Sequence, residues 1–163
     1  MNPAMVPLHT IVRLNTLLFR NCLVDVPDDL ASRVVAAGAN TMIFVAVHLF
    51  DGRIFMADTA GIVLAHPYPE IAAAERVQDI SAYPPMSELL AHWARVSPAL
   101  VGCLESLSEE QLQRPSPRQF PVKDRSLLGA LSFLIQHETY HIGQLSLLRR
   151  VNGLSAMRYT ENG

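Results

Sequence analysis

The sequence predicts an all-α fold, a four-helix bundle, on three observations. Four long segments repeat apolar residues at spacings of three and four, no stretch reads convincingly as a strand, and helix start and stop signals fall at segment ends. The 163 residues, 50% of them hydrophobic, suit one sizeable core and are too few for two ordinary domains, so residues 1–163 are read as one domain.

The first helix is expected from Leu8, where Leu8, Ile11, Val12, Leu18, Phe19 and Cys22 form an apolar stripe that stops before Pro27. Asn15 shares that inner face. A second helix is expected after Asn40, taken as its N-cap, and carries Met42, Phe44, Val45, Val47, His48, Leu49 and Phe55 with apolar residues almost all round. Such a helix is central and buried.

Between Ala60 and Pro85, the prolines and Gly61 predict a long loop over one end, with room for one short helix around Ile71 to Val77. The third stripe runs Leu89, Leu90, Trp93, Val96, Leu100, Leu104 and Leu107, with a kink expected at Pro98, and the pattern breaks from Ser108 to Pro121. The last helix is expected from about Ser126 to Val151, closed by Arg149, Arg150 and Gly153. A faint echo relates the stretch from Cys22 to His48 to that from Cys103 to His141, as if two helical hairpins each brought histidines to one place.

The bulk properties exclude several classes. Thirteen basic against fifteen acidic residues leave a formal charge of -2 and no basic block, which argues against nucleic acid. No apolar run reaches the ~18 residues of a membrane span, and the N-terminus lacks the layout of a signal peptide. Cys22 and Cys103 sit in apolar stretches and read as reduced core thiols, so a cytoplasmic protein is expected.

The chemistry concentrates in His137-Glu138-Thr139-Tyr140-His141. Side chains four apart on a helix project from one face, so His137 and His141 can share a metal ion, and Leu134, Leu145 and Leu148 place that face toward the core. The competing reading of each is a core imidazole bonded to a carbonyl or water. Read literally, H-E-x-x-H is a zinc-peptidase motif with Glu138 as general base. A metzincin needs Gly and His where this chain has Gln144 and Leu147, and the only downstream carboxylate is Glu161 near the chain end. The third ligand is instead expected to be His48, because its helix must face the core. Three imidazoles leave coordination positions open, as catalytic sites do, whereas a lone His48 would be a core histidine.

These residues resemble a known family. His48 on the second long helix, with the run His137-Glu138-Thr139-Tyr140-His141-Ile142-Gly143-Gln144-Leu145 on the fourth, looks like the DinB-like, YfiT-like superfamily of metal-dependent bundles, from Leu8 to Gly153. The resemblance implies an up-down-down-up bundle, a three-His site for zinc, nickel or a similar divalent ion, and frequent homodimers. The activities it implies include thiol-dependent S-transferases and isomerases that use low-molecular-weight thiols, and hydrolase-like reactions. Glu138 occurs in many members, but a helix turns about 100° per residue, so Glu138 need not face the metal.

Spacing nominates further residues. Gln144 is three after His141, Asp51 three after His48 and Tyr140 three after His137, so each is a candidate to orient an imidazole or a metal-bound water. The bland alternatives are a Gln144 bonded to a neighbouring helix, a solvated Asp51 and a core Tyr140. His9, His66 and His92 are expected to be surface or loop histidines. The expected function is metal activation of a thiol or water toward a small-molecule electrophile. The rivals are a non-catalytic stress-linked binding protein and a helical dimerisation module without metal.

Overall fold

Four long helices form where the apolar spacing places them. The computed structural model describes residues 1–73 and 82–160. Its long helices are α1 (Val6–Leu23), α3 (Met42–Ala60), α5 (Met86–Ser106) and α7 (Leu127–Val151). Short α2 (Asp28–Ala31), α4 (Pro69–Ala73) and α6 (Glu109–Gln113) lie in the connections, and a 3-10 turn (Pro3–Met5) precedes α1. Among the described residues there is no strand, only an isolated bridge between Pro115 and Ser126.

Several boundaries differ from expectation for local reasons. α3 is capped by Thr41, not Asn40, because the Thr41 hydroxyl accepts from the Phe44 amide at 3.2 Å. The Ser108 to Pro121 break contains α6, held by a capping box in which Ser108 and Gln111 each bond the other's backbone amide. The helix expected around Ile71 to Val77 starts earlier, at Pro69, and the expectation beyond residue 73 falls outside the described residues. α5 runs on through Pro98.

Side-chain pairings fix the helix directions. His9 meets Glu105 while Trp93 donates to the Thr16 carbonyl, so α1 and α5 are antiparallel. Asn15 meets Thr139 and Cys22 lies against the Ile142 carbonyl, so α1 and α7 are parallel. His48 lies beside His141 and Arg53 binds Glu138, so α3 and α7 are antiparallel. α3 and α5 are parallel, with Phe50 near His92 and Cys103 at the Ala60 carbonyl. The order is up-down-down-up, and the α3 to α5 step needs a long crossover because parallel neighbours cannot be joined by a tight turn. α1 and α3 are diagonal, as are α5 and α7, so α3 and α7 share one side of the bundle.

The core is divided by one polar layer. One apolar cluster packs around Phe19, Phe50, Leu89 and Leu145, the other around Val12, Met56, Leu100 and Leu131. Between them each long helix contributes a polar residue: Thr16 from α1, Arg53 from α3, Ser97 from α5 and Glu138 from α7. Arg53 is 0% exposed and every guanidinium N–H has an acceptor. Nε and one Nη atom make a two-pronged pair with Glu138 at 2.8 and 2.7 Å, and the other Nη reaches the Thr16 and Ser97 hydroxyls, each at 2.7 Å. The guanidinium also stacks 3.9 Å from the centre of the Trp93 ring, so the buried charge is fully engaged. Among the described residues, no helix is long and apolar enough to cross a membrane.

A three-imidazole group between two helices

α7 turns His137 and His141 toward α3 because the neighbouring positions on its other faces are taken by the core. Ile135, Glu138, Ile142 and Leu145 are buried, which leaves the two imidazoles half-buried on the α3 side. α3 brings His48 to the same place. Its ring lies 5.2 Å from the His137 ring and 4.6 Å from that of His141, edge to face in both cases. One ligand atom from each of the three falls within 4.8 Å of the others, a group that could hold a metal ion.

Hydrogen bonds tie the His141 ring to Gln144 and to His137. His141 Nδ1 lies 2.6 Å from Gln144 Oε1, which can only accept, so Nδ1 donates to it and Nε2 is the nitrogen turned toward the other rings. That Nε2 is 3.1 Å from His137 Nε2. Burial pushes the His48 pKa down to about 4, helped by repulsion from His141 and His137. His137 is lowered too, by burial and then by His141. Both are therefore neutral at pH 7, the form that binds metals.

The other nominated residues are placed less uniformly. Gln144 stands on His141 itself and not on a neighbouring helix. Tyr140 is 58% exposed and lays its ring 5.2 Å from that of His141, so it is a rim residue and not a core one. Asp51 is half-buried at a cavity of about 230 Å³ lined also by Ile54, Phe55, Leu64 and His66. Its Oδ1 is 3.6 Å from His66 Nε2, close enough for attraction and too far for a hydrogen bond, which leaves that buried nitrogen without a hydrogen-bond partner among the described residues. Burial raises the Asp51 pKa against the opposing pull of His66, and burial lowers that of His66. Glu138 points away from the imidazoles, with both oxygens on Arg53.

Two features escaped the sequence reading. His9 is not a surface histidine: it is 7% exposed, and its Nε2 meets Glu105 Oε1 at 2.8 Å across α1 and α5. Arg53 gave one signal, a lone cation in the helix that is apolar almost all round. A larger cavity of about 950 Å³, between α1 and α5, includes Arg13, Leu17, Trp93 and Val101 and none of the three histidines. It opens on the side of the bundle away from the three imidazoles. Phe133 lies 6.0 Å from the His137 ring, and Phe120 and Phe55 continue an aromatic wall beyond it.

Fold and site together define a class, a helical bundle with three imidazoles gathered between two of its helices. A family model of the DinB superfamily matches residues 14–145, and the chain belongs to that superfamily. A search of curated proteins returns no match.

Proposed function

We propose that the chain binds one divalent transition-metal ion, zinc or nickel, through His48, His137 and His141, and is an enzyme that activates a thiol or water toward a small electrophile. The convergence of three imidazole nitrogens within 4.8 Å carries the reading. The donor set fits such an ion: three imidazole nitrogens suit zinc, nickel and their neighbours, and fewer than four protein ligands leave room for a reactant. Such an ion, when bound, supplies Lewis acidity that lowers the pKa of a thiol or water.

The remaining roles belong to the protein. Gln144 accepts from His141 Nδ1 and so holds that ring's orientation and tautomer. Asp51, one turn from His48 on the same helix, is the carboxylate we assign to receive a proton from the incoming thiol or water. Tyr140 and the aromatic wall of Phe133 and Phe120 flank the approach to His137 and offer apolar contact to the electrophile. Glu138, engaged by Arg53, is not free to act as a peptidase base.

The test is turnover of a low-molecular-weight thiol with a haloarene by zinc- or nickel-loaded protein. Activity that disappears in His137→Ala and falls in Asp51→Asn supports an enzyme. Metal-loaded protein that stays silent across a panel of thiols and of hydrolysable esters would instead support a non-catalytic binding protein.

A further inference from the structure

We infer that the buried Arg53–Glu138 pair is a positioning device for the three-imidazole group: it fixes the rotation and axial register of α7 against α3, and so sets the geometry in which a metal ion is bound. The inference rests on the metal-binding reading above and adds a determinant that the ligands themselves do not contain.

Three observations carry it. The pair joins the two helices that bear the histidines, with Glu138 next to His137 and three residues before His141, and Arg53 five residues after His48. Its geometry is two-pronged, and a planar guanidinium that meets both carboxylate oxygens at 2.8 and 2.7 Å constrains direction as well as distance. Arg53 is itself held from α1 by the Thr16 hydroxyl and the Val12 carbonyl, from α5 by the Ser97 hydroxyl and from one face by Trp93. It therefore cannot follow Glu138 if α7 turns.

Apolar packing alone would not impose this. Hydrophobic burial is non-directional, so it constrains the rotation of a helix less sharply than a two-pronged ionic hydrogen bond does. A rotation of α7 breaks the Arg53 bonds where both partners are buried, and there an unpaired charge is expensive. Since Glu138 and His137 are adjacent, whatever fixes one fixes the direction of the other. Partners that orient metal ligands from outside typically change metal affinity about 10- to 100-fold when removed.

Glu138→Ala strands the Arg53 charge and reports on folding more than on position. The deciding variant is therefore R53M/E138L, which replaces the pair by apolar side chains of similar volume, with Glu138→Gln beside it. Zinc affinity is measured by competition with a chromophoric chelator, melting is measured without metal, and the imidazole signals of metal-free protein are followed by 15N NMR. The expected result is a double variant that melts no lower than the parent yet binds zinc about 10- to 100-fold more weakly, with His137 and His141 signals broadened or doubled. Glu138→Gln, if folded, is expected to fall between. Equal zinc affinity and unchanged imidazole signals in a folded R53M/E138L variant overturn the positioning role while leaving the metal reading intact. Should that variant not fold, Glu138→Gln decides by the same comparison. Parent protein that binds zinc no better than His48→Ala defeats the metal reading and this inference with it.

Discussion

Glu138 and His137 are neighbours in the chain with different surroundings, because consecutive helical residues point about 100° apart. One faces Arg53 in the core and the other faces His48. Glu138→Ala removes the carboxylate paired with a guanidinium that is 0% exposed, and loss of one partner of a buried pair costs about 3–5 kcal/mol. Urea unfolding of metal-free protein should show that loss, and a change under 1 kcal/mol would mean that the pair behaves like a surface one. Removing the Gln144 amide oxygen by Gln144→Leu should weaken zinc binding about 10-fold with little change in melting, since it frees the His141 ring without opening the core. At this scale the sequence was partly legible. His137 and His141 share a helix, so spacing and a common apolar face bring them together in the sequence, whereas the partner of Glu138 lies 85 residues away and no local pattern announces it.

α7 owes its position to more than its apolar face. Ser126 caps it by accepting from the Gly129 amide, and the preceding loop folds back so that Asp124 sits against Gly129. An alanine there would drive its methyl group into the Asp124 carbonyl oxygen. Gly129→Ala, which in an open helix gains about 1 kcal/mol, should here lose about 1–3 kcal/mol in a thermal or urea melt. Stabilisation would show that the loop yields freely. The long helices were legible because each spans several turns of regular apolar spacing. α2 and α6 have four and five residues, too few for a period to register, so the Ser108 and Gln111 capping pair that holds α6 lies in a stretch read from the sequence only as a break. Asn40 and Thr41 are both good caps, and only the backbone geometry chooses Thr41.

In the whole molecule, two apolar half-cores meet at a polar layer, and the imidazoles sit between the two helices that this layer locks together. The order of the bundle followed from the family resemblance, while the layer required four residues from four helices to be seen at once. Without metal, proton linkage sets a clear direction. His48 is neutral in the folded chain down to about 4 but titrates near 6.5 when unfolded, so between those values the unfolded chain binds more protons. Stability is complete above 6.5 and is lost as the pH falls toward 4; His137 and His66 act in the same sense, and Asp51, raised by burial, opposes them. Urea melts of metal-free protein should weaken across that window, with a shallower slope in His48→Leu. Saturating zinc should stabilise the fold by about 2.7 kcal/mol at a free concentration a hundred times Kd. The most direct test of the central claim is metal content by elemental analysis of tag-free protein dialysed against zinc, compared with His48→Ala and His141→Ala, each verified as folded. One ion per chain is expected in the parent and almost none in either variant; equal metal content in all three proteins would contradict metal binding by the three imidazoles.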